Sequence, residues 1–299
     1  MLLTPEDEDY PLALRTLPKP PVLRTSGPLD RHRRSVAIVG SRNPVPEAIE
    51  FARDLARTCA EAGILVISGG AVGIDTAAHE AALEVGATWC VAPNGRDHPY
   101  PAKGRALFER IAASEHSRMI WPFDDDQKKT DETPKQRNRI LVALAKAVVV
   151  VQAHFKSGSR NAAAHARRLG KDLFVVPAAP WMPAFSGSLH ELSRGAHILV
   201  HASQLFSSLG IPWSGSGAWP TPSPQTSLPI FEEAPEAPET GTWTDEEKRI
   251  FSVLSSTVQH ADELVARTGL QTSATLTALL TLSLKDVVVE GPDGFYRRR

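Results

Sequence analysis

From Ser35 onward, apolar residues arrive in short β-branched runs separated by longer stretches with a helical period. The runs SVAIVG, ILVISGG and TWCVAP alternate with periodic segments near 45–62 and 74–85. The rhythm continues with a helix near 103–113, a strand near 118–121, a helix near 136–145, the run AVVVVQA, a helix near 159–169, the run DLFVVP, and a helix near 187–194 before HILV. Alternating strands and helices imply a doubly wound, mostly parallel sheet. The expected fold class is therefore α/β, with this core over 35–209.

The flanks break the rhythm. Residues 1–34 mix six prolines with the basic run Arg31-His32-Arg33-Arg34 and show no sustained period, which predicts an extended N-terminal leader. Between 210 and 241 the chain turns to Pro, Ser, Gly and Glu, the composition of a flexible linker. After it, Thr244 with Glu247 three residues on reads as a capping box that opens a helix. HADELVARTG predicts a second helix, and Ser273–Ser283 a third, with Leu276, Leu279, Leu280 and Leu282 on an apolar side. The end, VVVEGPDGFYRRR, reads as strand, turn at Pro292-Asp293-Gly294, and strand. Three helices and a hairpin over 242–299 describe a small C-terminal winged-helix domain.

Composition narrows the picture. A chain of 299 residues, 42% of them hydrophobic, supports one good core and a second small domain. No run approaches the roughly 18 apolar residues of a membrane span, so a soluble, cytoplasmic protein without membrane partners is expected. Cys59 and Cys90 lack metal-site spacing and predict buried, reduced residues. The net charge of -1 provides no global basic field, so attraction to phosphate has to come from local Lys and Arg.

Such clustering is found where helices follow strands. In a parallel sheet those loops share one edge, where helix N-termini present unpaired N–H groups. Gly40-Ser41-Arg42-Asn43 leaves the first run with a glycine for close backbone approach and an arginine able to fork onto phosphate. A tight turn with a surface arginine would look the same. Ser68–Asp75 contains Gly69, Gly70 and Gly73, which would let backbone meet a ligand, although packing turns also use glycine. The spacing matches neither the dinucleotide nor the P-loop pattern. Lys156-Ser157-Gly158-Ser159-Arg160 combines cations, hydroxyls and a glycine at a helix start. Pro134-Lys135-Gln136-Arg137-Asn138-Arg139 opens another helix. The four loops bring Arg42, Lys135, Arg137, Arg139, Lys156 and Arg160 toward one edge, which points to an anionic ligand.

Other candidates carry less. His79 has no second ligand at metal spacing and reads as a packed or surface histidine. Asp124-Asp125-Asp126 precedes Gln127-Lys128-Lys129 and reads as an exposed polar loop. No serine stands in a nucleophile elbow, so no catalytic residue, metal or cofactor is expected.

In order, VAIVGSRNP, VISGGAVGIDTAAHEAAL, Tyr100-Pro101 after Asp97, QRNRI, KSGSRNAAAHARRLGK and LFVVPAAP resemble the Rossmann-like core of the DNA processing protein A (DprA, or Smf) family. YPLALRTLPKPPVLRTSGPL is similar to the family's preceding segment, and the tail to its winged helix. The resemblance implies a non-enzymatic protein that binds and protects incoming single-stranded DNA, dimerises, and loads RecA recombinase during natural transformation. Carried over, Arg42 would be the principal phosphate contact and Lys156 a second cation. The loops of Gly69–Gly73 and Ser157–Ser159 would add backbone N–H groups, with Arg137-Asn138-Arg139 framing the pocket.

Several positions depart from the family pattern. Val72 stands where the family usually has arginine, with Arg96 as a candidate to compensate, and no phenylalanine occurs at Thr133 or Pro134, which leaves Phe155 as the nearby ring. Ala178 and Leu189 also differ from the family's usual glycine and asparagine. A rival reading is a nucleotide-hydrolysing enzyme of the related lysine-decarboxylase-like family, but its PGGxGTxxE segment is not present. A duplex-reading regulator is another rival, weakened by the scarcity of Lys and Arg in Ser273–Ser283.

Overall fold

A computed structural model describes residues 1–30, 33–213, 243–255, 257–291 and 294–298. The predicted linker falls almost wholly outside the described residues, as do Arg31, His32, Pro292, Asp293 and Arg299. The chain forms two compact units, the first containing the described residues up to 213 and the second those from 243.

In the first unit, seven strands run parallel: β3 (Ser35–Val39), β4 (Leu65–Ser68), β5 (Thr88–Val91), β6 (Arg118–Trp121), β7 (Ala147–Val150), β8 (Asp172–Val175) and β9 (His197–Ile198). Their order across the sheet is β6-β5-β4-β3-β7-β8-β9. The chain builds outward from β3 through β4, β5 and β6. It then crosses back to lay β7 on the other side of β3.

Alternate strand residues face opposite ways. Ala37, Val39, Ile67 and Val148 pack against α5 (Thr133–Leu144) and α6 (Ser159–Arg168). Val36, Ile38, Val66 and Val149 pack against α2 (Pro46–Glu61), α3 (Ile74–Val85) and α8 (Ala202–Ser208). Cys90 and Met119 meet α4 (Arg105–Ala113), and α7 (Ser186–Ser193) precedes β9. This is the expected α/β doubly wound architecture.

Residues 1–30 correct the expectation of an extended leader. β1 (Leu2–Leu3) and β2 (Leu23–Thr25) extend the sheet antiparallel beyond β6, with Arg24 opposite Trp121. Tyr10, Leu17 and Leu14 of α1 (Leu12–Arg15) are buried in the same core as α5. Strands of two and three residues and a one-turn helix are too short to show a period, so the sequence pattern hides them.

The second unit contains α9 (Asp245–Val253), α10 (Ala261–Thr268) and α11 (Thr272–Leu284), with a sheet ordered β10 (Gln259–His260), β12 (Phe295–Arg298), β11 (Val288–Glu290). The capping box is present: Glu247 N–H donates to Thr244 Oγ1 at 3.2 Å, and Thr244 N–H to Glu247 Oε2 at 2.8 Å. Leu279 and Leu282 enter the core with Ile250, Leu264 and Tyr296. Leu276 and Leu280, expected on the same apolar side, are exposed instead. Among the described residues no helix is long and apolar enough to cross a membrane.

Candidate nucleic-acid interface

The sheet reverses direction of growth between β3 and β7, and the C-terminal ends of those strands diverge there into separate loops. Such a switch point opens a crevice in doubly wound folds. Here it is a cleft of about 490 Å³ whose walls include Gly40, Ser41 and Arg42 after β3, Lys156–Ser159 after β7, and Lys135, Arg137 and Asn138 from α5. Lys129, Asp131 and His154 also line it, three residues the sequence pattern did not single out. Five cationic side chains (Arg42, Lys129, Lys135, Arg137, Lys156) face two carboxylates (Asp75, Asp131), so the cleft is electropositive.

These cations are not equivalent. Lys135 is paired with Glu132 at 2.7 Å, and Lys129 with Asp131 at 3.3 Å. Arg137 is buried and its Nη1 donates to Val91 O at 2.9 Å. Arg42 and Lys156 are exposed, and among the described residues neither is in an ion pair. Burial first, and the nearby Arg42 charge in addition, hold Arg137 below the ordinary arginine range. An anion entering between the two arginines would relieve that crowding.

Arg139 and Arg160, expected at the same edge, are not part of the cleft wall. Arg160 Nε binds Glu191 at 2.8 Å, and its guanidinium lies 4.5 Å from the Phe155 ring centroid. Glu191, buried, also pairs with Arg167. Phe155 is itself exposed and meets His190 edge-on at 5.2 Å.

The glycines serve packing before ligand approach. A methyl group on Gly69 would lie 1.4 Å from Arg137 Nη1, so the guanidinium occupies the space a side chain would need. At Gly73, φ is +86° and a Cβ would meet Ser41 O at 2.4 Å. At Gly40 it would strike Ile74 Cγ1 at 2.5 Å. Gly70, with φ +70°, lies against Cys90 and Phe108. The N–H groups of Gly69 and Ala71 donate inward to Asp75 Oδ2 at 3.1 and 3.3 Å. The expectation that this loop offers its N–H groups to a ligand is therefore corrected at those positions. Burial pushes the Asp75 carboxyl up, and Arg137 with the two N–H groups opposes that shift.

At the other wall, Ser157 and Ser159 hydroxyls are 2.6 Å apart, and Ser159 N–H donates to Ser157 Oγ at 3.3 Å. Asn138 Nδ2 donates to Gly158 O and Asn161 Oδ1 at 3.3 and 3.2 Å, tying α5 to this loop. His79 is a packed residue: its Nδ1 lies 2.7 Å from Thr88 Oγ1, and burial lowers its pKa to about 3. Both cysteines are free and buried, with thiols pushed up to about 12 by burial.

Comparison with known proteins places the chain. A family model described as DNA recombination-mediator protein A matches residues 1–210, and one described as DprA winged helix domain matches 233–294. Protein Smf of Synechocystis is 32% identical over 99% of this chain and 80% of its own length. DNA processing protein DprA of Bacillus subtilis is 30% identical over 68% of this chain and 69% of its own. The DprA structure from Helicobacter pylori, described in terms of its single-stranded DNA binding mode, is 30% identical and superposes with a TM-score of 0.62 over 70% of this chain and 95% of that one. The Streptococcus pneumoniae DprA structure is 28% identical, with a TM-score of 0.65 over 69% and 73%. On the family match across the sheet unit, joined to the winged-helix match that follows it, the chain belongs to the DNA recombination-mediator protein A (DprA/Smf) family.

Proposed function

We propose that this chain is a DNA-processing protein that binds single-stranded DNA through the phosphates, in the cleft between β3 and β7. The observation that carries this reading is the pair Arg42 and Lys156, exposed, without an ion pair among the described residues, and on facing walls of an electropositive cleft. Arg42 supplies a forked contact to phosphate oxygens and Lys156 a compact second charge. The Ser157 and Ser159 hydroxyls add hydrogen-bonding capacity on the Lys156 side. Contacts of this kind recognise backbone rather than base edges, so binding is tolerant of sequence. The structure from Helicobacter pylori, described for its single-stranded DNA binding mode, supports the same ligand.

On this reading the protein acts by binding, not by catalysis, in the cytoplasm. It protects incoming strands, works as a homodimer, and delivers strands to RecA recombinase during natural transformation. Asp75 lies beneath the cleft and accepts from the Gly69 and Ala71 N–H groups, with the Arg137 charge nearby, which suits a structural carboxylate better than a general base. The test is binding of labelled oligonucleotides of several unrelated sequences, single-stranded and duplex, to wild type, Arg42→Ala and Lys156→Ala. Each substitution is expected to weaken single-strand binding at least tenfold for every sequence. Binding that survives both substitutions, or that prefers duplex, contradicts the assignment.

A further inference from the structure

The opposite edge of the large sheet, at the N-terminal ends of its parallel strands, carries a second basic grouping. The register fixes who meets there: Val36 pairs with Ala147, and Ala147 with Asp172. Lys146 and Lys171, each one residue earlier, therefore start on neighbouring strands about 4.8 Å apart. Lys146 N–H donates to Ser35 O at 3.0 Å, which locks it beside the start of β3. Arg33 stands two residues before that start. The three cations border a cavity of about 240 Å³ that Leu12, Trp89 and Asp30 also line.

Among the described residues, none of the three is in an ion pair. Arg33 Nε reaches Gly63 O at 3.5 Å and Lys171 Nζ reaches Ala143 O at 3.4 Å, both long contacts to carbonyls. Ala143 lies in the last turn of α5, so part of the Lys171 charge is answered by the negative end of that helix. That answers a fraction of one charge. Burial, and then the Lys146 ammonium, hold Lys171 below the ordinary lysine range. Three cations against Asp30 match a group bearing one to two negative charges, which is the range of a phosphate ester.

We infer that this edge cavity is a second oxyanion site, which takes a phosphate group between Arg33, Lys146 and Lys171. It lies at the end of the strands away from the Arg42 cleft, so a strand occupying both would have to pass around the sheet unit. Phosphate from a DNA backbone and free phosphate present the same chemistry, and two measurements separate them. Only the second rests on the single-strand reading above.

The first is titration of the full chain with inorganic phosphate, followed by amide chemical shifts, in an Arg42→Ala/Lys156→Ala background that removes the cleft's free cations. Saturable shifts at Ser35, Lys146 and Lys171 are expected. Adding Lys146→Gln/Lys171→Gln should weaken them at least tenfold, while Lys146→Arg/Lys171→Arg should retain them. No saturable shift at these amides, or equal affinity in the Gln variant, overturns the site. A Gln variant that loses its folded spectrum leaves Lys146→Gln alone, an exposed position, to give the same comparison.

The second measurement is the salt dependence of binding to a long single strand, with cleft residues intact. If the site takes DNA backbone, Lys146→Gln/Lys171→Gln lowers the slope by about 0.7 for each phosphate that is no longer neutralised. An unchanged slope, beside a positive phosphate titration, overturns the DNA source and assigns the site to free phosphate.

Discussion

Gly69 has no room for a methyl group, because the Arg137 guanidinium lies where its Cβ would point. Arg137 is buried, so its guanidinium has no easy retreat, and moving it breaks the bond to Val91 O. Gly69→Ala is accordingly expected to cost about 2 kcal/mol or more in chemical denaturation, and a neutral result contradicts the packing account. The glycine was conspicuous in the sequence, but its reason lay in a residue 68 positions away. Arg137 and Arg139 look alike as a pair of charges on one segment. Both stand three and four positions before buried residues of α5, Ile140 and Leu141 for Arg137 and Val142 and Ala143 for Arg139. Helical spacing therefore does not tell them apart; the space left by Gly69 does.

His79 offers a pH test at the same scale. Its folded pKa of about 3 lies below the ordinary 6.5, so the fold keeps it neutral while the unfolded chain takes up a proton. The stability tied to that neutrality is complete above about pH 6.5 and is lost as pH falls toward 3, at up to about 1.4 kcal/mol per pH unit. Urea unfolding between pH 7 and 4 should show His79→Gln with a shallower loss than wild type; equal slopes would remove His79 from the account.

Among the elements, those with a clear period were legible and those without were not. α2 and α3 follow their apolar spacing, and β3 and β7 are continuous apolar runs because both faces are covered. β1, α1 and β2 were invisible for want of length, although Leu14 and Tyr10 are fully buried. Leu14→Ala should therefore behave as a core truncation, costing about 2–5 kcal/mol; a change below about 0.5 kcal/mol would restore the leader reading. On α11 the apolar period misled, since Leu276 and Leu280 lie on the exposed face while Thr275 is buried. Leu276→Ser/Leu280→Ser is expected to leave the melting temperature and single-strand affinity nearly unchanged. A large loss of affinity would place DNA on this helix.

At the scale of the whole molecule, the topology gives Arg42 and Lys156 their meaning. They are 114 residues apart in sequence, yet β3 and β7 are adjacent and parallel, so their loops open onto one cleft. The alternating pattern made that shared edge foreseeable. It could not distinguish cations left unpaired from those already engaged, such as Arg160 with Glu191, because that depends on where α7 places its buried carboxylate.

The measurement that tests the central claim most directly is the affinity for a single-stranded oligonucleotide across a salt series, for wild type and Arg42→Ala/Lys156→Ala. Melting curves alongside would establish that both are folded. Wild type should bind single strands in preference to duplex, weakening steeply with salt, and the double variant should lose at least a hundredfold with a slope shallower by about 1.4, as for two phosphates no longer neutralised. A folded wild type that does not bind single strands, or a double variant with unchanged affinity and slope, would contradict the account.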